Sequence, residues 1–151
     1  MNDMSEFFNN IIRGAETLGA CGMIKNIHDE RSAVDALFKP QGIEFCANKD
    51  YPKAAQIDAS LRALMQKYGI FVDCGDIRIE GQRRLCFIGK CRAKVKAQGC
   101  KDLHTILALD GAEVEIEASM YATGTADASR SARITLSNQD ATAKISCRQG
   151  K

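Results

Sequence analysis

The sequence predicts an α+β protein in which a helical amino-terminal region, residues 1–68, caps a short β-solenoid of about three coils over residues 69–147, with residues 148–151 as a tail. Three observations carry this reading. Apolar residues recur at helical intervals as far as Tyr68, the period shortens to two beyond Gly69, and an Ala-x-aliphatic phrase then returns about every twenty residues. A chain of 151 residues fits one or at most two compact domains. At 45% apolar and 26% charged it sits near the average for soluble globular proteins, which excludes wholesale disorder, collagen and a simple coiled coil.

The helical elements follow in order. Asp3 and Glu6 have capping-box spacing, and Phe7, Phe8, Ile11, Ile12, Ala15 and Leu18 then form one apolar stripe ending at Gly19. A second, shorter helix opens at Asp29, runs through Val34, Leu37 and Phe38, and stops at Pro40. An extended piece is expected at residues 43–46. Tyr51 and Pro52 then begin a third helix with Ile57, Leu61, Leu64, Met65 and Tyr68 on one stripe and Gly69 as its stop. The polar face of the first helix lacks the Lys/Arg cluster of a membrane-surface helix.

Beyond Gly69 the strand candidates are Ile70 with Val72, Ile77 with Ile79, and residues 85–88. The repeated phrases begin at Ala93, Ala112 and Ala132, which are 19 and 20 residues apart, with a further one at Ala141. Weaker candidates at residues 105–109 and 121–125 divide each interval, while Thr123-Gly124-Thr125 itself reads as turn. Two strands of about five residues and two turns per twenty-residue period make one coil of a solenoid, whose unit cannot bury its apolar side without neighbours. Alternation points Ala93, Val95, Ala97, Ala112, Val114, Ile116, Ala118, Ala132, Ile134 and Leu136 inward. Aligning the phrases on their first alanines sets Val95, Val114 and Ile134 over one another. It also sets Lys94 and Lys96 beside Glu113 and Glu115, and these beside Arg133 and Thr135, so that outward charges alternate in sign between coils. An antiparallel sandwich is the alternative architecture.

Candidate chemistry is sparse. Arg83, Arg84, Lys90, Arg92, Lys94 and Lys96 form a basic stretch that could serve as a binding strip for phosphates, although the acids of the next coil would neutralise much of it. Glu113, Glu115 and Glu117 share a strand face but lack the unlike environments of a catalytic acid and base, so they read as a charge ladder and not as a glycosidase or cation site. Seven cysteines, an odd number without paired CxxC motifs, point to a reducing compartment and to Cys46, Cys74, Cys86, Cys91 and Cys147 as small buried hydrophobes. His28 and His104 read as surface or turn residues. No nucleotide-binding glycine motif, catalytic triad or metal-ligand spacing occurs, so neither a catalytic residue nor a metal or cofactor is expected. Acids where a secretory signal would carry basic residues predict a chain that starts at Met1 and is cytoplasmic on synthesis.

Residues 43–46 with Tyr51-Pro52 after them, and the runs 69–73, 87–95 and 110–122, resemble small proteins encoded in phages and prophages of gut bacteria, whose C-terminal part carries repeated Gly/Asn-Ala-x-Val phrases. The resemblance covers about two thirds of the chain and implies a right-handed β-helix, but it brings no catalytic residues. It leads to the expectation of a non-enzymatic phage-derived structural or adhesion module, in the virion if the protein is structural. Such a module would present a rigid face to a protein or glycan. The alternative is a cytoplasmic or counter-defence protein that engages a host factor or nucleic acid through the basic coil at residues 83–101. Because an open solenoid end invites pairing, a homo-oligomer built through Phe7, Phe8, Ile11 and Ile12 is also expected.

Overall fold

The structure is a computed structural model that describes residues 4–19, 27, 29–99, 101 and 103–150, with side chains for all of these except 4–8 and 30. The carboxy-terminal half is a β-solenoid. A five-stranded sheet has the order β1 (Ile70–Val72), β3 (Arg84–Ile88), β5 (His104–Leu109), β7 (Thr123–Ala128), β9 (Lys144–Gln149). A four-stranded sheet has the order β2 (Gly75–Glu80), β4 (Cys91–Gln98), β6 (Glu113–Ser119), β8 (Arg133–Gln139). The chain alternates between the sheets, so each coil gives one strand to each. Every pairing is parallel, which removes the antiparallel sandwich.

Between the sheets lies one apolar core whose bulk shifts from sheet to sheet along the stack. In the β3–β4 coil the large inward residues Leu85 and Phe87 belong to the first sheet, and Ala93, Val95 and Ala97 to the second. Two coils later the first sheet contributes Ala126 and Ala128, and the second Ile134 and Leu136. Large meets small at each level, which keeps the interior filled while the sheets stay evenly spaced. Phe71 and Phe87 stack in neighbouring coils with ring centroids 5.4 Å apart.

The ten residues expected to face inward do so, and β6 meets β8 as the alanine alignment sets them, Val114 over Ile134, but between β4 and β6 the register differs from it by two residues. Ala93, Val114 and Ile134 form one inward column, and Val95, Ile116 and Leu136 the next. Strand β4 opens at Cys91, which takes the corner that Ala112 and Ala132 take in later coils. A shift by an even number leaves every side chain on its expected face.

The described helices pack against a face of the solenoid. They lie on the outer face of the five-stranded sheet, where Ile70, Val72, Cys86, Ile88, Leu107 and Leu109 form a second core with Val34, Phe38, Ile43, Cys46, Ile57, Leu61 and Met65. That sheet is therefore apolar on both faces, as in the run Arg84–Ile88, where four consecutive residues are buried. Helix α1 spans Met4–Thr17 and α2 spans Glu30–Leu37, the latter capped by Asp29 and Ser32 in a reciprocal pair. The expected capping residue Asp3 lies outside the described residues. Pro40 does not end the helical region: it opens α3 (Pro40–Lys49), because a first-turn proline forfeits no helical hydrogen bond, and residues 43–46 are helical, not extended. The third expected helix is broken into two single 3₁₀ turns and a short α4 (Arg62–Gln66). Ile57, Leu61 and Met65 still bury, and Leu64 faces solvent.

Candidate binding surface

With helices over one sheet, the outer face of the four-stranded sheet is the broad regular surface left to solvent. Its strands alternate buried and exposed residues, most regularly in Cys91–Gln98. The outward columns read Asp76, Arg92, Glu113, Arg133, then Arg78, Lys94, Glu115, Thr135, then Glu80, Lys96, Glu117, Asn138. Arg92 Nε lies 3.7 Å from Glu113 Oε2 and 4.0 Å from Asp76 Oδ1, and Lys94 Nζ lies 3.9 Å from Glu115 Oε2. These are exposed, screened contacts, each contributing about 0.2–1 kcal/mol, so their main effect is on register. Sign alternates in two of the three columns, while Arg78 stands beside Lys94, like beside like; between β4 and β6 the partners are corrected, Lys94 meeting Glu115, not Glu113, and Lys96 meeting Glu117.

The six residues of the expected basic strip are not one strip. Arg92, Lys94 and Lys96 lie in the charge rows, and Lys90 is exposed at the β3–β4 corner, where its N–H donates to Asp73 at 2.7 Å. Arg84 stands on the opposite sheet, where it pins α2: its guanidinium donates to Asp35 Oδ1 at 3.0 Å and to the Val34 carbonyl at 3.2 Å, and its centre lies 4.6 Å from the Phe38 ring centroid. Arg83 reaches the Gly99 carbonyl and lies 3.2 Å from His104 Nε2. A polar groove of about 470 Å³ between α2 and the β2–β3 turn does bring Arg83 and Arg84 together with Arg31 and Lys67, two cations distant in sequence. Glu113, Glu115 and Glu117 share one face as expected, interleaved with bases.

Other expectations are corrected. His104 is buried at the start of β5, where its Nε2 lies 3.2 Å from the Gly99 carbonyl; His28 is outside the described residues. Thr123, Gly124 and Thr125 begin β7 and are not turn. Cys46, Cys86 and Cys91 are buried, whereas Cys74 is half-buried and Cys147 exposed. Burial alone pushes the Cys46 thiol up to about 12. Cys74 and Cys91 meet at a corner, where the Cys74 N–H donates to Cys91 Sγ at 3.4 Å and the contact between the thiols makes Cys91 the more acidic of the two. Of the expected self-association residues, Phe7 and Phe8 have side chains outside those described. Ile11 packs against the core, and Ile12 lines an apolar cavity of about 90 Å³ between helices and sheet. Both isoleucines are half-buried.

A junction that sequence reasoning missed fastens the helices to the coils. Asp50, in left-handed conformation at the end of α3 and 2% exposed, accepts from the Asp110 N–H at 2.8 Å, Lys53 Nζ at 2.8 Å and Ser131 Oγ at 2.5 Å. Asp110 in return accepts from the Ala54 N–H at 2.8 Å. Burial would raise the Asp50 carboxyl, but its bonds to Lys53, Ser129, Ser131 and Asp110 outweigh that and hold it well below the ordinary range. The residues joined are 60 and 81 positions apart, and a pattern read along the chain has no access to such pairs.

Among the described residues no group of His, Cys, Asp and Glu is arranged to hold a metal ion, and no helix is long and apolar enough to cross a membrane. No family model, no curated protein and no solved structure matches the chain.

Proposed function

We propose that this is a non-enzymatic structural or adhesion module in which a rigid β-solenoid presents the outer face of its four-stranded sheet to a protein or glycan. The observation that carries the reading is the asymmetry between the two sheets. One is sealed beneath helices, while the other displays ordered rows of charge, alternating in two of three columns, across strands locked by a buried core. Such a face pays little ordering entropy on binding, because its backbone is fixed before the partner arrives. A phage origin rests on the repeated Ala-x-aliphatic phrases and their resemblance to prophage-encoded proteins.

The test is binding of the full-length protein to a glycan panel and to surface proteins of gut bacteria, compared with Lys94→Glu plus Glu115→Lys. The swap conserves net charge and mutual attraction but rewrites the pattern, so a partner that reads this face should be lost while circular dichroism is unchanged. Retained binding would place the contact elsewhere. The second reading, engagement of an anionic partner, is favoured by the groove lined with Arg31, Lys67, Arg83 and Arg84. It predicts salt-sensitive retention of nucleic acid that falls on Arg31→Glu plus Lys67→Glu.

A further inference from the structure

The solenoid ends on two unlike edges. Among the described residues, β2 opens the four-stranded sheet and β9 closes the five-stranded one, each with a single strand partner. Both are six residues long and largely exposed. Edges of this kind recruit other strands unless something prevents it.

Charge distinguishes the available pairings. Outward residues of β2 are Asp76, Arg78 and Glu80, and those of β9 are Lys144, Ser146 and Arg148. Two β2 edges run antiparallel about Arg78 would set Arg78 against Arg78 and Asp76 against Glu80. Two β9 edges run antiparallel about Ser146 would set Lys144 against Arg148. Like charges in direct opposition disfavour both. Parallel pairing of β9 with β2 of a second copy sets Lys144 beside Asp76 and Arg148 beside Glu80, with Ile145 meeting Ile77 and Cys147 meeting Ile79 on the inner side. Sliding the register by two residues either way opposes Lys144 to Arg78 or Arg148 to Arg78.

Hydrogen-bond parity admits this register and its two-residue slides and excludes the odd ones, so charge makes the final choice. Lys144 N–H donates to Ala122 and Gly150 N–H to Ala128, both in the coil below, so Ile145 and Cys147 turn their backbone groups to the free edge. Gly75 N–H donates to Lys90, so on β2 Asp76, Arg78 and Glu80 do so. In a parallel ladder Ile145 N–H then meets the Asp76 carbonyl and Cys147 N–H meets that of Arg78. In the single copy the Gln139 side chain accepts from Ile145 N–H at 3.1 Å, and an incoming β2 strand would displace it to make the first bond. The outward column Leu107, Asp127, Arg148 would continue into Glu80, extending the 2.8 Å contact of Arg148 Nε with Asp127 by a second carboxylate.

We infer that the protein self-associates head to tail, β9 of one copy adding in parallel to β2 of the next with Lys144 beside Asp76 and Arg148 beside Glu80. The described residues form nine strands, an odd number, so each incoming copy enters rotated by half a turn about the stack axis. The interface is heterologous and leaves a free edge at each end, which gives open chains and not a closed two-fold dimer. The inference is independent of what the charged face binds.

The experiment is sedimentation and light scattering of the full chain over a concentration series at low and high salt. Wild type should form a ladder of oligomers that weakens with salt. Asp76→Lys plus Glu80→Lys should weaken association by roughly tenfold or more, and so should Lys144→Glu plus Arg148→Glu, because two attractions become two repulsions. Mixing the two variants restores opposite charges at every junction and should restore oligomers. Oxidation of Ile79→Cys should add an intermolecular link from position 79 to Cys147, mapped by peptide mass and absent when Cys147→Ser is combined with it. A monomer at all concentrations, a dimer that does not grow, association indifferent to the reversals, or no recovery on mixing would each overturn the inference. So would a β9 edge that captures a strand of a different protein in preference to a second copy.

Discussion

Replacing Asp50 tests whether the helical layer is anchored by a single buried carboxylate. In Asp50→Ala the Asp110 N–H loses its acceptor in a buried setting, at a cost of about 1–3 kcal/mol. Alanine in the left-handed conformation that residue 50 adopts, φ 53°, adds about 1–2 kcal/mol. The contact with Lys53, half in solvent, adds little. The total is about 2–5 kcal/mol, which for a chain of this size lowers Tm by roughly 10 °C. Asparagine keeps one acceptor oxygen and tolerates the backbone, so Asp50→Asn should lose about half as much. Acid supplies a second axis. Because the folded-state pKa is depressed, the carboxylate's contribution is complete above the unfolded-state pKa of about 4 and is lost as pH falls below it toward the folded value. Urea titrations of wild type and Asp50→Asn should therefore differ most near neutrality and converge in strong acid. A loss below about 0.5 kcal/mol for Asp50→Ala, the range of an ordinary surface change, would refute the anchoring argument, and so would a wild-type advantage that does not vary with pH.

Other expectations follow from the packing. Phe87→Ala, at a fully buried site stacked on Phe71, should cost about 3–5 kcal/mol in urea unfolding. Ala126→Leu should cost about 1–3 kcal/mol by overfilling a level where Ile134 and Leu136 already supply the bulk. Glu113→Lys places a third cation between Arg92 and Arg133 and should cost about 1 kcal/mol, less at high salt, read from the same unfolding curves. Among the five described cysteines, thiol labelling of the folded protein should modify Cys147 first and Cys74 more slowly, sparing Cys46, Cys86 and Cys91 until denaturant is added; early labelling of Cys86 would contradict its burial.

The solenoid was legible because its physics is local and periodic. Each inward side chain from Ala93 to Leu136 follows from alternation within one strand, and the return of a phrase about every twenty residues states that strands stack. The phase was not legible from alanine alone. A corner needs a small residue, which Cys91 supplies as well as Ala112 does, so alanine marks a corner in some coils and a strand interior, as at Ala93, in another. Nor did the apolar run of β3 announce its second face. Four consecutive buried residues show a strand covered on both sides, but nothing local says that α3 and the residues after it provide the cover. The segment from Ile57 to Tyr68 carries a helical stripe and is largely not α-helix, because tertiary anchoring of its buried residues overrides a pattern that short turns satisfy equally well.

The covering of one sheet and the exposure of the other have a common origin in the strand sequences. Outward positions of the first sheet are Cys86, Ile88, Leu107 and Leu109, which must be buried, and the amino-terminal helices bury them. Farther along the same face the outward residues become Asp127 and Arg148, joined at 2.8 Å, so the need for cover fades coil by coil toward β9. The apolar gradient thus thins the helical cover toward the final strand, where the remaining contact is backbone, Gly150 just after β9 lying against the Ala47 carbonyl of α3. Where burial ends, charge takes over the work of specifying neighbours: Asp127 selects Arg148 within the chain, and Arg148 then offers a cation to whatever strand comes next. A uniformly apolar outer face would have left β9 open to any β-edge, whereas an edge bearing Lys144 and Arg148 repels its own copy in antiparallel register and accepts strands that bring carboxylates at matching positions.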